Sequence, residues 1–323
     1  MSLASIKKNS FLVLGRAGMD FYADPPGTRV EEATRFTSAL GGSSANIAAG
    51  LTRLGSTAAL LGTVSDDAVG RFVLNELARY KIDATHVQAV GGEARNSLAV
   101  VETRAEDCQS VIYRNGAADF QLTAEMVAGV DLSAYGALIL TGTSLAMEPS
   151  RAATLAAIEA ARAAGCIVIL DVDYRPYSWA SRQEAAAVCL AAAERCHIVV
   201  GNDDEFGLLA GGNHRGQALA KRLGARAGII AVYKMGERGS VTCTAEDTIE
   251  LGVFRVTALK PTGAGDAFLA GFASSLAAGR PLADCLKRGS AAAAIVVTRV
   301  GCAPAMPNPN ELTHFMAKHP GPG

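Results

Sequence analysis

The segment Lys260-Pro261-Thr262-Gly263-Ala264-Gly265-Asp266-Ala267-Phe268 sets small residues and a single carboxylate at the head of an apparent helix. Unpaired N–H groups and the helix dipole favour an anion there, and glycine lets a phosphate lie against the main chain. Asp266 would repel that phosphate unless it has a chemical task, such as taking a proton from a hydroxyl that attacks phosphorus. The structural alternative is an acidic residue capping a helix after a glycine loop. A second stretch, Gly41-Gly42-Ser43-Ser44-Ala45-Asn46 and on to Gly55, reads as a glycine turn, a serine cap, a small-residue helix and a glycine stop. Gly41 and Gly42 let a ligand approach the backbone, and Asn46 can both donate to and accept from hydroxyls. Tight packing of a small-residue helix on a sheet would explain the same residues.

Three further side chains could recognise a substrate. Asp20, soon after the first apolar run, can accept from two neighbouring hydroxyls of a sugar, or it is a turn residue. Arg114, in Tyr113-Arg114-Asn115, and Arg175, in Asp171-Val172-Asp173-Tyr174-Arg175-Pro176, carry forked guanidinium groups that match carboxylate or phosphate. Converging, they would suit an acidic sugar or add grip on a triphosphate; singly, each could be a surface ion-pair residue. The seven cysteines form no C-x-x-C pair and the five histidines lie without metal-ligand spacing, so neither zinc nor a disulfide framework is indicated.

Elements that could hold these residues alternate along the chain. Short apolar runs at Phe11–Leu14, Ala58–Gly62, Ala137–Leu140, Ile167–Leu170, Ile198–Val200 and Ile229–Tyr233 are separated by helical stretches such as Ser150–Ala164 and Gln183–Arg195. Continuous apolar strands between helices predict an α/β fold with a parallel sheet covered on both faces. Ligands in such folds bind beyond the carboxyl ends of the strands, which is where Gly15–Asp20, Gly62–Asp67, Asp171–Arg175 and Asn202–Glu205 would fall. Phe21–Leu40 and Arg95–Asp119 break the pattern, and Thr28–Glu31 and Ser97–Thr103 within them read as half-exposed strands.

Taken in order, Gly15-Arg16-Ala17-Gly18-Met19-Asp20, Gly41–Gly55, Gly62-Thr63-Val64-Ser65-Asp66-Asp67, Asn202-Asp203-Asp204-Glu205, Lys234-Met235-Gly236-Glu237-Arg238-Gly239 and Lys260–Phe268 resemble the ribokinase-like (PfkB) carbohydrate kinases over nearly the whole chain. The resemblance implies a three-layer α/β/α core, 1–17, 43–94 and 120–317, and a small β lid over the sugar site formed by 18–42 and 95–119. It implies an ATP-dependent sugar kinase in which Asp266 is the base and the N–H groups of Gly263, Ala264 and Gly265 stabilise the transferred phosphoryl. Asn202, Lys234, Gly236, Gly239, Thr262, Gly263 and Gly265 would flank ATP, with the helix around Ser290–Ala294 beside it. Mg²⁺ would be held through water by Asn202 and Glu205, unless that acidic turn only complements a helix dipole. The sugar would meet Asp20, Gly41, Gly42, Asn46, Tyr113, Arg114 and Arg175. In many members the lids also pair two chains, which leaves a homodimer through the lid open.

Two features narrow the resemblance. Asp173-Tyr174-Arg175-Pro176 with Trp179, Lys260-Pro261, and the stretch Ala293–Pro307 are most similar to members that phosphorylate keto-deoxy sugar acids. Where most members carry Asp-Thr, this chain has Lys260-Pro261. That removes a carboxylate which in many members helps hold a monovalent cation, so potassium activation is not expected.

Composition excludes other classes. Half of the 323 residues are hydrophobic, enough for a large core, while a formal net charge of −1 and no long Lys/Arg run argue against nucleic-acid or membrane-surface partners. No apolar stretch reaches the roughly 18 residues that span a bilayer, and Met1–Lys8 leads toward a strand rather than a signal sequence, so a cytoplasmic protein is expected. The tail 318–323 is expected to be disordered. A Walker sequence, a protein-kinase H-R-D or D-F-G set and a dinucleotide G-x-G-x-x-G after the first strand are all missing. A binding protein without turnover would predict a damaged anion loop, yet Gly263–Asp266 is intact.

Overall fold

The computed structural model describes residues 6–322; the reading of the chain's start rests in part on residues outside that range. Its strands are β1 (Ser10–Leu14), β2 (Gly18–Asp24), β3 (Arg35–Gly41), β4 (Thr57–Ser65), β5 (Asp83–Val90), β6 (Leu98–Val101), β7 (Ser110–Tyr113), β8 (Ala137–Thr141), β9 (Ile167–Asp171), β10 (Ile198–Asn202), β11 (Ile230–Lys234), β12 (Ser240–Cys243) and β13 (Thr248–Leu251). The helices are α1 (Ser43–Arg53), α2 (Ala68–Arg79), α3 (Ala124–Ala128), α4 (Ser150–Ala163), α5 (Arg182–Ala193), α6 (Asp203–Leu209), α7 (Gly216–Gly224), α8 (Ala264–Ala277), α9 (Leu282–Val297) and α10 (Pro309–Lys318).

Nine strands form the main sheet in the order β13-β12-β11-β10-β9-β8-β1-β4-β5. The seven from β11 to β5 run parallel, and β12 and β13 add an antiparallel edge. Both faces are covered, which is why the strands are apolar without alternation. In β1, Leu12 and Leu14 enter one core while Phe11 and Val13 enter the other, and all four are fully buried. The chain leaves β1 for β4 on one side and reaches β8 on the other, so the carboxyl ends of β1 and β8 open the crevice in which such folds bind ligands.

The four remaining strands form a separate sheet, β3-β2-β6-β7, over a small core of Tyr22, Ala39, Ala99 and Val101. Its β6 falls within the stretch read as a strand, but Thr28–Glu31 does not pair. The turn at Pro25-Pro26-Gly27 leads instead into a 3₁₀ turn at Val30–Glu32, and Val30 N–H is taken by the Glu102 carboxylate at 3.0 Å. A side-chain acceptor thus replaces the strand partner. Beyond α10, residues 319–322 carry no regular structure, although the His319 ring stacks on Phe315.

The packing of α1 on α8 joins the two glycine motifs. A Cβ on Gly50 would lie 2.6 Å from that of Ala270, so only a glycine permits this approach. Gly55, with φ +91°, follows the end of α1 as read. The serine cap is a correction: Gly42 holds the N-cap position, and the serine hydroxyls point elsewhere, Ser44 donating to Leu14 O at 3.1 Å and Ser43 to Asp173 at 2.8 Å. Ser44 thereby pins the start of α1 into the crevice at the end of β1.

Candidate active site

Asp266 sits at the third position of α8, after the left-handed Gly263 (φ +82°) that caps the helix, and its side chain makes no cap bond. A Cβ on Gly263 would stand 2.8 Å from Cys302 Sγ, so Cys302 closes the turn on that side. Asn46 Nδ2, 220 residues earlier in the chain, donates to Asp266 Oδ2 at 2.9 Å. Burial and the nearby Asp173 carboxylate push the Asp266 pKa up to about 7, against the opposing effects of Asn46, Arg175 and Lys234. A carboxylate poised there can accept a hydroxyl proton at neutral pH.

Two unfinished polar groups adjoin this base. Asn46 Oδ1 and Thr262 Oγ1 are buried without a partner; the amide oxygen can accept from a bound hydroxyl, and the hydroxyl can donate to a phosphate. Lys234, at the end of β11, brings its ammonium to 3.3 Å from where a Gly265 Cβ would be, and 5.7 Å above the Phe268 ring. It therefore borders the same turn. Gly236 and Gly239 lie in the turn after β11, with φ of +57° and +86°. At Gly239 a Cβ would meet Leu251 O at 2.0 Å, a backbone reason for glycine that is separate from any ligand.

Asp20 lies on β2 with its carboxyl folded over Gly41, where any Cβ would overlap Oδ1 at 1.9 Å. Burial raises its pKa, opposed by Arg16 and by the Tyr22 hydroxyl, which donates to Oδ2 at 3.2 Å. Asp20 Oδ1 has no partner. Gly41 and Gly42 thus carry the carboxylate and the start of α1 past each other.

Both expected arginines converge on one pocket, lined also by Arg16, Ser43, Thr143, Asp173 and Tyr177, but each is already paired. Arg175 Nη2 meets Asp173 Oδ1 at 2.7 Å; Arg114 Nε meets Asp119 Oδ2 at 2.9 Å and its Nη2 donates to Thr143 O at 3.1 Å. Although burial favours the neutral acid, Arg175 and the Ser43 hydroxyl hold Asp173 below the ordinary carboxylate range. Arg114 Nη1 is left buried and unpartnered. Arg16 is 8% exposed, donates from Nη1 to Ser97 Oγ at 3.0 Å, and forms no ion pair among the described residues. Sequence reading gave Arg16 no role; its place directly after β1 was the available signal. Tyr113 is not brought in: alternation along β7 turns Ile112 to the pocket and leaves Tyr113 61% exposed.

Asn202 and Glu205 form a reciprocal capping box on α6. Asn202 Oδ1 accepts from Glu205 N–H at 2.9 Å, and Glu205 Oε2 accepts from Asn202 N–H at 2.7 Å. Glu205 Oε1 also accepts from Tyr174 N–H at 3.3 Å. Burial raises Glu205, and raises Asp171 beneath it to about 8, with Lys234 opposing both. Among the described residues no group of three or more His, Cys, Asp or Glu side chains could enclose a metal ion.

The mostly parallel nine-stranded sheet with a separate four-stranded sheet, and a glycine-capped helix carrying a buried carboxylate, make up a ribokinase-like α/β fold. The sequence matches the pfkB family carbohydrate kinases over residues 8–309. It is 39% identical over 310 residues to 5-dehydro-2-deoxygluconokinase of Photobacterium profundum, with 94% of each chain covered. In structure it is similar to a Vibrio cholerae O395 fructokinase double mutant solved with fructose, ADP and potassium ion (TM-score 0.84, 24% identity, 98% and 100% of the chains covered). It is also similar to a Xylella fastidiosa fructokinase with bound ATP (TM-score 0.84, 23% identity, 96% and 99% covered). The chain belongs to the pfkB family of carbohydrate kinases and is an ATP-binding sugar kinase. Among the described residues no helix is long and apolar enough to cross a membrane.

Proposed function

We propose that this kinase phosphorylates a hydroxyl of an acidic keto-deoxy sugar, 5-dehydro-2-deoxy-D-gluconate. The observation that carries this reading is the buried Arg16 guanidinium, which has a hydroxyl but no paired carboxylate, beside the unpartnered Arg114 Nη1 in the same pocket. Asp20 and Asp173 lie near enough to feel the Arg16 charge, yet neither pairs with it directly, and a substrate carboxylate would give the guanidinium a bidentate partner. A relative named for this substrate, at 39% identity, supports the same choice. Asp20, over Gly41 and Gly42, would accept from sugar hydroxyls, and Asn46 Oδ1 from the reacting end.

Asp266 would take the proton of the attacking hydroxyl as the oxygen–phosphorus bond forms, and ADP would leave with the electron pair of the broken bond. The N–H groups of Gly263, Ala264 and Gly265 would meet the charge on the moving phosphoryl, with Lys234, Thr262, Asn202, Gly236 and Gly239 along the nucleotide. Mg²⁺, reached through water from Asn202 and Glu205, would neutralise the triphosphate. The second sheet would act as a lid that excludes water. The Vibrio cholerae protein was solved with potassium; here Lys260 brings an ammonium, and no potassium requirement is proposed.

The test is ADP release over a panel of neutral sugars, nucleosides and keto-deoxy sugar acids. The highest kcat/KM should fall on 5-dehydro-2-deoxygluconate. A preference for 2-keto-3-deoxygluconate would keep the acid pocket and change the sugar, whereas a preference for ribose, fructose or a nucleoside would overturn the acidic substrate altogether.

A further inference from the structure

Lys260 is fully buried, and its Nζ donates to the carbonyl of Thr262, the residue just before the Gly263–Asp266 turn. Its own N–H is held by Val297 O at 3.2 Å, so the main chain at this point is fixed to the end of α9. No carboxylate of the described residues forms an ion pair with it; Cys302 and Asp266 are the groups whose negative charge would favour the ammonium most. Burial lowers the lysine pKa and raises that of Cys302 to about 11, so the thiol stays neutral. An ammonium without an ionic partner is costly to bury, and methionine would fill a similar volume without that cost. The position also has definite neighbours: Cys302 and Val296 both crowd the side of Gly263 where a Cβ would stand, at 2.8 and 3.2 Å from it.

We infer that Lys260 is a positioning residue, a fixed internal cation that holds the Thr262 carbonyl and thereby keeps the Gly263–Gly265 N–H groups aimed at the transferred phosphoryl. The amide plane joining Thr262 to Gly263 carries both the carbonyl that the ammonium grips and the first N–H of the turn. Drawing that carbonyl toward the interior turns the N–H to the opposite side. A fixed positive charge beneath the turn also opposes the charge that accumulates as phosphoryl is transferred. This role does not depend on which sugar is accepted.

The experiment compares Lys260→Met, Lys260→Gln and Lys260→Ala in the full chain, using the best sugar of the panel. Met and Gln should each lower kcat by about tenfold to a hundredfold, with KM for ATP and for sugar within about threefold of the parent, because aim rather than binding is lost. Ethylammonium should restore turnover of Lys260→Ala in a saturable way, and sodium chloride at equal ionic strength should not. Nucleotide binding, followed by the displacement of a fluorescent ADP analogue, shows that each variant is folded. Were Lys260→Met not to fold, Lys260→Ala with ethylammonium would carry the test. Retention of more than half of kcat in Gln or Met overturns the inference, as does a loss in Lys260→Ala that ethylammonium repairs in melting temperature but not in turnover.

Discussion

Replacing Asp266 with Asn should remove nearly all phosphoryl transfer and yet make the protein more stable. The amide keeps the shape and can still accept from Asn46 Nδ2, now 2.9 Å from Oδ2, but it has no basicity. General-base catalysis of this kind contributes about a hundredfold to ten-thousandfold, so kcat should fall by that range. The stability change follows from the pKa: burial and Asp173 raise it from 3.8 to about 7, which means that the folded state binds the proton more tightly than the unfolded chain does. Such a group costs the fold nothing below pH 3.8, costs more as pH rises through the interval, and reaches a constant penalty above 7. The difference of about three units at 1.36 kcal/mol each gives about 4 kcal/mol at pH 8, and the same relation gives about 1.7 kcal/mol at pH 5. Residual solvent contact reduces the first figure to about 2–4 kcal/mol, or a gain of about 3–6 °C in melting temperature for a chain of this size. Differential scanning fluorimetry at the two pH values, with single-turnover kinetics alongside, tests both halves. A mutant that melts no higher than the parent at pH 8, or that gains as much at pH 5 as at pH 8, would refute the electrostatic argument. Retention of more than about a tenth of kcat would exclude Asp266 as the required base.

The parent enzyme should show an acid limb in kcat/KM with an apparent pKa near 7, lost in any variant that survives without this carboxylate. Arg16→Met and Arg175→Met should raise KM for the keto-deoxy acid about tenfold to a hundredfold while leaving KM for ATP within several-fold; loss of ATP affinity alone would assign the guanidinium groups to the phosphate side. Gly41→Ala, whose methyl would displace the Asp20 carboxyl from 1.9 Å, should weaken sugar binding without weakening nucleotide binding, as titrations of the two ligands would reveal. Removing Mg²⁺ with a chelator should stop turnover, and its return should restore it. Adding KCl at matched ionic strength should leave the rate unchanged, and a saturable, potassium-specific stimulation would contradict the reading of Lys260.

Much of the main sheet is legible because its signals are local. Phe11–Leu14 and Ile198–Val200 are apolar on both faces, since both faces of the sheet are covered, and the glycine that begins α8 marks a backbone turn wherever the chain goes afterwards. The antiparallel edge is less legible: β13 is half exposed, and its pairing depends on the turn that returns the chain beside β12. The same holds for Thr28–Glu31, where a carboxylate 72 residues away took the hydrogen bond that a strand would have used.

Site residue types were therefore readable, and their partners were not. Sequence alone offered Asp266, the Gly263–Gly265 turn, Asn46 and Asp20 as candidate chemical groups, because each lies near a strand end or a helix start in a recognisable way. Only the tertiary structure decided that Asn46 bonds Asp266, that Asp173 and Asp119 already hold Arg175 and Arg114, and that Arg16 is left without a carboxylate. Asn202 and Glu205 are likewise bound to each other as a helix cap, a pairing the acidic run alone does not distinguish from a metal site. It also decided that Lys260 is sealed inside rather than extended into water. Secondary structure is written in patterns a few residues long. Charge pairing, burial and pKa depend instead on which distant segments the sheet order and the packing of α1 on α8 bring within a few ångströms, and no local pattern carries that information.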